Sequence, residues 1–233
     1  MKTIYILHGW VIDSQNGKKW QEFIALLRTY QLNPKFLGLP GLSIPLNKPW
    51  NLNDYVSWLN KQLPNEPVIL LGHSFGGQLA IRFAAKYPQK ISKLILIDSA
   101  GVRDSNFLSK IKRLVFFVMA KAGKLIFRHN LFKKILYKAA GTQDYIKADA
   151  VMKKTLKRVL ADEIIRDLPK INCPALIIWG KNDTITPINL GFRFKKNLKN
   201  SRITIVSQAR HAPQFTHARK VARIIAGFLG QPV

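Results

Sequence analysis

The chain has 233 residues, of which 47% are hydrophobic, and a formal net charge of +26 from 38 Lys and Arg against 12 Asp and Glu. This hydrophobic fraction is that of a globular protein and excludes a disordered or collagen-like chain. The length predicts one large domain, or one domain with an insertion. The charge indicates a nucleic acid, an anionic membrane surface or an acidic substrate as candidate partners.

The lone cysteine, Cys173, excludes an intramolecular disulfide and any zinc site built from several cysteines. It also favours a cytoplasmic protein, because thiols stay reduced in that compartment. The N-terminal apolar stretch is too short for a signal peptide. The longest unbroken apolar run, Leu114–Ala120, is too short for a membrane span.

Short apolar runs alternate with helical patterns along most of the chain. The runs predict six strands, at Thr3–Leu7, Lys35–Leu39, Pro67–Leu71, Leu94–Ile97, Ala175–Trp179 and Ile203–Val206. The helical patterns predict helices around Trp20–Leu27, after an N-cap at Asn53, over Gln78–Tyr87, over 188–198 and from Phe215 to Leu229. This order indicates an α/β protein with a parallel sheet, and strand runs without polar alternation indicate burial on both sheet faces.

The alternation stops between residues 102 and 168, where the pattern is helical throughout. Such a stretch is too long for a simple connection, so it predicts a helical insertion lying over the sheet. Residues 105–160 carry fourteen Lys or Arg against two acidic residues, with apolar side chains between them. This pattern is typical of basic amphipathic helices, which could cover a site or dock on anionic lipid.

The run Gly72–Gly76 reads G-H-S-F-G, directly after a predicted buried strand and at the start of a predicted helix. In the pattern G-x-S-x-G, this context places the serine on a sharp strand-to-helix turn. Glycine is needed on both sides because larger side chains would collide there. Ser74 is therefore the candidate nucleophile, close to a helix N-terminus that favours a developing anion.

Because the G-x-S-x-G motif stands between a predicted strand and a predicted helix, the sequence resembles the α/β-hydrolase superfamily, and within it the serine esterases and lipases that carry a cap. The resemblance covers nearly the whole chain and is weakest over 102–168. It implies a core domain of residues 1–101 and 169–233 and an inserted helical cap, or lid, of residues 102–168. Because only seven residues precede His8, it also implies an about six-stranded, mostly parallel sheet that lacks the family's usual first two strands.

The resemblance supplies a base for Ser74, because the superfamily's chain order is Ser, then Asp or Glu, then His. His211 follows the last predicted strand in a string similar to the family's His-x-Pro, although Arg210 stands where relatives commonly have glycine. Arg210 could change the loop or bring a cation near the pocket. His217 is the rival histidine and is expected inside the final helix.

The acid that orients the base comes from a second motif. The segment Trp179–Pro187 reads W-G-K-N-D-T-I-T-P and is similar to the family's G-x-x-D with a downstream proline, which points to Asp183. Asp98, after another strand, is the alternative acid and is expected instead to be a turn or cap residue. Asp13 precedes the serine, so its place in the chain order is wrong.

A tetrahedral intermediate needs two backbone N–H donors aimed at its oxyanion. The resemblance implies one donor from Phe75, after the nucleophile, and one from Trp10, in the loop after the first strand. The residues expected to support these two loops are His8, Gly9, Gly72 and Gly76. The resemblance implies neither a metal nor an organic cofactor.

These residues predict a serine hydrolase that cleaves carboxylic esters of small to medium acyl groups through an acyl-enzyme. Lactonase, thioesterase, acyltransferase and carbon–carbon bond hydrolase activities use the same residues and stay open. A serine nucleophile argues against epoxide-hydrolase and haloalkane-dehalogenase chemistry. The expected partners are a small-molecule ester and, through the basic cap, an anionic membrane surface.

A basic nucleic-acid-binding protein is the alternative from a different functional class. The charge supports it, but the sequence contains no helix-turn-helix, zinc-finger or RNA-recognition signature. No specific nucleic acid is therefore expected as a partner.

Overall fold

The computed structural model describes residues 1–11, 16–102 and 149–232. Most of the predicted cap at 102–168 therefore lies outside the described residues, including the apolar run Leu114–Ala120. Of the predicted cap, the structure describes Val102 and residues 149–168. Within the described ranges, no helix has the length and apolar character that crossing a bilayer requires.

The centre of the fold is a six-stranded sheet with the strand order β2-β1-β3-β4-β5-β6. Every neighbouring pair of strands is parallel. The strands are β1 (Lys2–Leu7), β2 (Leu32–Leu37), β3 (Val68–His73), β4 (Ile91–Ile97), β5 (Ala175–Gly180) and β6 (Ser201–Val206). The predicted six-stranded parallel α/β sheet is confirmed.

Helices connect the strands and cover both faces of the sheet. In the described part of the chain they are α1 (Asn16–Thr29), α2 (Leu52–Gln62), α3 (Phe75–Lys86), α4 (Ala150–Ala161), α5 (Ile188–Asn197), α6 (Pro213–Thr216) and α7 (Ala218–Phe228). Successive residues of β3 enter different hydrophobic clusters. Leu70 belongs to the cluster that includes residues of α2, α3 and α5, and Leu71 belongs to the cluster that includes residues of α1 and α7. All six residues of β3 are buried, as a strand covered on both faces requires.

The second strand lies earlier in the chain than predicted. It begins at Leu32 rather than Lys35 and includes Pro34. Proline lacks the N–H that a central strand needs, which argues against a strand at this position from sequence alone. The structure resolves the conflict because β2 is an edge strand and pairs only with β1.

The prediction that Asn53 caps the second helix is wrong, because the cap is Asn51. The Asn51 side chain accepts hydrogen bonds from the backbone N–H groups of Asn53 and Asp54, at 2.8 and 3.1 Å. The Asp54 carboxylate in turn accepts from the Asn51 N–H at 2.8 Å. This reciprocal capping box satisfies helix N–H groups that have no partner within the helix.

The single helix predicted from Phe215 to Leu229 is two helices, α6 and α7, which meet at His217. The backbone of His217 has φ −134° and ψ 41°, so it is not helical and interrupts the run. His217 is therefore a junction residue and not part of a continuous helix as predicted.

The parallel order brings the loops that carry the predicted site residues to one edge of the sheet. The carboxyl ends of β1, β3, β5 and β6 precede His8, Ser74, Asp183 and His211, respectively. Ligand sites of open parallel sheets are built at this edge.

Candidate active site

Ser74 lies at the sharp turn between β3 and α3, with φ 53° and ψ −117°. This left-handed φ is strained for any residue except glycine, and such strain is concentrated at functional sites. A Cβ on Gly72 would lie 2.4 Å from the Gly76 carbonyl oxygen, and one on Gly76 would lie 2.2 Å from the Leu7 carbonyl oxygen. Both flanking positions therefore require glycine because backbone approaches them closely.

A chain of two hydrogen bonds joins the three side chains that sequence reasoning selected. The Nε2 of His211 lies 2.9 Å from the Ser74 Oγ, and its Nδ1 lies 2.8 Å from the Asp183 Oδ2. A carboxylate can only accept a hydrogen bond, so the Nδ1–H donates to Asp183 and the bare Nε2 accepts from the Ser74 hydroxyl. This arrangement can take a proton from a serine during nucleophilic attack.

Asp183 is held as an anion by the loop in which it lies. Its side chain is fully buried, and its Oδ1 accepts hydrogen bonds from the backbone N–H groups of Ile185 and Thr186, at 2.8 and 3.0 Å. The Thr186 hydroxyl donates to Oδ2 at 2.7 Å. Burial by itself raises the pKa of Asp183, but the hydrogen bonds from His211 and Thr186 outweigh it and lower that pKa below its ordinary value.

Asp98, the alternative acid, follows β4 as expected of a turn residue, but it is fully buried and has φ 42°. Its Oδ1 accepts from the Gly180 N–H at 2.8 Å, and its carbonyl oxygen lies 3.2 Å from the Thr186 hydroxyl. Burial raises the pKa of Asp98 to about 8, against the hydrogen bond from Gly180 and with a smaller contribution from Asp183. His211 is therefore hydrogen-bonded to Asp183, whereas Asp98 stabilises the loop that carries Asp183 through its contacts with Gly180 and Thr186.

His8 ties the loop after β1 to the loop after β2. Its Nε2 accepts the Leu39 N–H at 3.0 Å and lies 3.0 Å from the Ser43 Oγ, so the proton is on Nδ1, 2.8 Å from the Gly9 carbonyl oxygen. Burial lowers the pKa of His8 to about 4, so the ring is uncharged at neutral pH. These contacts make His8 a brace for the loop that carries Trp10.

The loop after β1 passes close to the nucleophile. A Cβ on Gly9 would lie 2.9 Å from His73 Nδ1 and 3.2 Å from the Ser74 Cβ, so only glycine fits without displacement. The rings of Trp10 and Phe75 meet edge to face, 5.2 Å apart. Both residues border the cavity into which Ser74 opens. The structure therefore brings the two predicted oxyanion loops together beside Ser74.

The cavity beside Ser74 has a volume of about 500 Å³, which is within the usual range for small-molecule sites. Besides Ser74, its polar side chains are Gln78 and Thr186, and both already make hydrogen bonds within the protein. The indole N–H of Trp10, which also lines the cavity, is buried without a partner among the described residues. No charged side chain is among the residues that the structure describes around it. Its apolar wall includes Trp10, Phe75, Leu156, Val159, Leu160 and Ile185.

Helix α4 forms one wall of the cavity and is anchored to α3, the helix that begins after Ser74. The Gln78 Nε2 donates to the carbonyl oxygens of Val159 and Asp162, at 3.2 and 3.0 Å. One turn further along α3, Arg82 Nε lies 2.6 Å from the carboxylate of Asp167. The wall is therefore fixed relative to the nucleophile.

The remaining candidates lie away from Ser74 or outside the described ranges. The His217 ring has the Thr216 hydroxyl 2.9 Å from its Nδ1, at the junction of α6 and α7. The Arg210 side chain is exposed and does not line the cavity, so the predicted cation beside the pocket is not found there. Asp13 belongs to the residues that are not described.

Sequence reasoning missed two residues that contact the site. Thr186 donates to Asp183; a hydroxyl three residues after an acid is a local pattern that could have indicated this bond. His73 occupies a variable position of the G-x-S-x-G motif, so the motif assigns it no role. In the structure, its Nε2 lies 2.7 Å from the carbonyl oxygen of His211. No sequence signal indicates that contact, because it joins residues 138 positions apart.

Curated proteins with similar sequences include two kinds of hydrolase. A pimeloyl-[acyl-carrier protein] methyl ester esterase of Neisseria meningitidis serogroup B is 24% identical, covering 98% of this chain and 93% of that protein. A 2-hydroxy-6-oxononadienedioate/2-hydroxy-6-oxononatrienedioate hydrolase of Burkholderia vietnamiensis is 25% identical, covering 69% of this chain and 61% of that protein.

Solved structures support the same fold. An α/β hydrolase from a sediment metagenome of the Mar Chica lagoon, Morocco, has a TM-score of 0.67 at 24% identity, covering 98% of this chain and 90% of that chain. The meta-cleavage product hydrolase of Pseudomonas fluorescens IP01 has a TM-score of 0.70 at 16% identity, covering 99% and 91%. A family model described as serine aminopeptidase, S33, matches residues 51–216. Because that model spans more than half of the chain, the protein belongs to the serine aminopeptidase S33 family of hydrolases, within the α/β-hydrolase superfamily.

Proposed function

We propose that the protein is a serine hydrolase of carboxylic esters. The observation that carries this proposal is the hydrogen-bond chain from Ser74 through His211 to Asp183, which opens into an apolar cavity. The activity needs no metal or organic cofactor, because each proton transfer has a side chain at hydrogen-bond distance.

The geometry supports a reaction in two halves. The Ser74 Oγ attacks the ester carbonyl carbon while His211 Nε2 takes its proton, and the carbonyl electron pair moves to the oxygen. Asp183 stabilises the imidazolium, and the backbone N–H groups of Trp10 and Phe75 are the proposed donors to the oxyanion. The carbonyl then re-forms and the bond to the alcohol oxygen breaks, as His211 gives its proton to that oxygen. Water, deprotonated by His211, attacks the acyl-enzyme and releases the carboxylic acid and Ser74.

The cavity favours an uncharged ester with a small to medium apolar acyl group. A dioate substrate carries two carboxylates, and the walls of this cavity present no Lys or Arg among their described residues. Placing a carboxylate against these described residues alone, with no cation among them to pair with it, would be costly. Carbon–carbon bond hydrolysis of a dioate, the kind of substrate for which one similar protein is named, therefore ranks second to ester hydrolysis. Lactones and thioesters are further candidate substrates for the same residues.

A series of p-nitrophenyl esters tests the substrate class. From acetate to hexanoate, kcat/KM is expected to rise by up to about fourfold per methylene, because each buried CH₂ contributes about 0.8 kcal/mol. A 2-hydroxy-6-oxo-dienedioate should react at under a hundredth of the best ester's kcat/KM. Faster turnover of the dioate, with both activities absent in Ser74→Ala, would instead establish the second candidate.

We further propose that the protein acts in the cytoplasm and docks on an anionic membrane surface through α4 and the rim of the cavity. Leu160 and Ile185 line the cavity yet are 63% and 65% exposed. Lys154 and Lys157 are exposed on α4, about two turns and one turn before Leu160, respectively. Exposed apolar side chains beside lysines are what an interfacial helix presents to anionic lipid.

Vesicle sedimentation tests this surface separately from the general charge of the protein. Lys154→Glu/Lys157→Glu is expected to weaken binding to vesicles containing phosphatidylglycerol by at least about tenfold, since each cation near such a surface contributes about 1 kcal/mol. Arg219→Glu/Lys220→Glu, on the exposed side of α7, changes the net charge equally and should bind like the wild type. If both double variants weakened vesicle binding equally, binding would depend on overall charge alone and the proposal would be wrong.

A further inference from the structure

His73, the last residue of β3 and the neighbour of Ser74, makes a contact that the proposed reaction does not use. Its side chain is buried, and its Nε2 lies 2.7 Å from the carbonyl oxygen of His211. A carbonyl oxygen can only accept, so His73 carries its proton on Nε2 and donates it to His211. The candidate base is therefore bonded through its backbone to the residue beside the candidate nucleophile.

The His73 ring is held in one position from several sides. Trp20 meets it edge to face with the ring centroids 6.2 Å apart, and Phe215 does so at 6.5 Å. On the opposite nitrogen, Gly9 approaches so closely that a Cβ there would lie 2.9 Å from Nδ1. A side chain packed in this way keeps its rotamer, so the hydrogen bond that it donates has a fixed direction.

Burial, with the nearby charge of His211, lowers the pKa of His73 to about 3. The ring therefore stays uncharged when His211 becomes an imidazolium. A second positive charge at this place would oppose the charge that develops on His211. His73 can act as a hydrogen-bond donor throughout a catalytic cycle without entering the proton transfer itself.

We infer that His73 is a positioning residue that sets the distance between Ser74 and His211 by holding the backbone of His211. This inference rests on the proposed function. His211 lies on the loop after β6, and its ring must reach Ser74 and Asp183 at once. The bond from His73 fixes the main chain of that loop to the end of β3, so its loss would displace the His211 ring from both Ser74 and Asp183.

Substitution of His73 separates this role from a contribution to stability alone. His73→Leu is expected to lower kcat by about 10- to 100-fold, because a displacement of about 1 Å costs about that much, while KM stays within twofold. His73→Gln keeps an amide N–H at a similar reach and should restore kcat to within fivefold of the wild type.

Tyr55→Phe is the matched control, because it removes another buried hydrogen bond to a carbonyl, that of Pro40 at 2.8 Å. Its kcat should stay within twofold of the wild type even if its melting temperature falls. Wild-type kcat in His73→Leu would overturn the inference. So would equal losses in His73→Leu and His73→Gln in protein that is fully folded by circular dichroism.

A measurement without substrate separates this inference from the proposed function. The low-field proton resonance of His211 Nδ1–H reports its bond to Asp183 directly. This resonance should shift or broaden in His73→Leu and return in His73→Gln, whether or not esters are turned over. An unchanged resonance in His73→Leu contradicts the inference, whereas retained turnover in Ser74→Ala contradicts the proposed function instead.

Discussion

Ser74→Ala is expected to lower kcat for p-nitrophenyl butyrate by about 10,000- to 1,000,000-fold, because the attacking oxygen is lost and only binding and the oxyanion donors still contribute. KM should change little, since the hydroxyl is a small part of an apolar cavity. Alanine keeps the single unbranched Cβ that this turn already accommodates, and the Ser74 side chain caps no helix N–H, so the fold should persist. Initial rates with purified protein measure the effect.

The matched control for Ser74→Ala is Ser99→Ala. Ser99 is also a buried serine near the carboxyl end of a strand, and its hydroxyl donates to the Ala100 carbonyl oxygen at 3.2 Å. Its removal should change kcat by less than about fivefold, as expected for a hydrogen bond worth about 1 kcal/mol. If Ser74→Ala kept turnover comparable to that of Ser99→Ala, the acyl-enzyme mechanism would be wrong.

Asp183→Asn is expected to produce the second largest loss, about 10,000-fold in kcat at neutral pH. The amide cannot stabilise the imidazolium, and its NH₂ group favours the His211 tautomer with the proton on Nε2, where it cannot accept from Ser74. Asp183 also loses the charge that accepts the bonds from Ile185 and Thr186. Single-turnover measurements of acyl-enzyme formation should show the loss in the first half-reaction.

Asp98→Asn decides between the two acids of the site. The pKa of Asp98 is raised to about 8, so its carboxyl is mostly protonated at pH 7, and asparagine resembles that form in shape and charge. We expect kcat at pH 7 within about fivefold of the wild type, since the bond from Gly180 is kept. A loss in Asp98→Asn larger than that in Asp183→Asn would transfer the orienting role to Asp98.

The strands of the sheet and the turn at Ser74 could be predicted because short local sequence patterns indicate them. Apolar runs identify the buried strands, and the G-x-S-x-G pattern identifies the turn at Ser74, although the backbone that approaches Gly76 is that of Leu7, far away in the sequence. The order of motifs in the family that the sequence resembles points to His211 and Asp183, and the structure joins Ser74 to His211 and His211 to Asp183 by hydrogen bonds.

Other features depend on packing that the sequence does not display. Pro34 is tolerated in β2 only because that strand forms the edge of the sheet, and the order of strands in space is not a local property. The choice of Asn51 over Asn53 as cap depends on which of two similar residues lies at the right backbone angle. The bond from His73 to His211 spans 138 positions and arises only when β3 and the loop after β6 are brought together.

The anchoring of α4 has a consequence for how such an enzyme changes during evolution. Gln78 holds the end of this helix through the backbone carbonyls of Val159 and Asp162, and Arg82 holds the segment that follows it through the Asp167 carboxylate. None of these bonds uses the side chains of Leu156 and Leu160, which face the substrate space. Mutations at those two positions can therefore alter substrate preference while the nucleophile and its support stay in place, so new specificities are accessible in single steps.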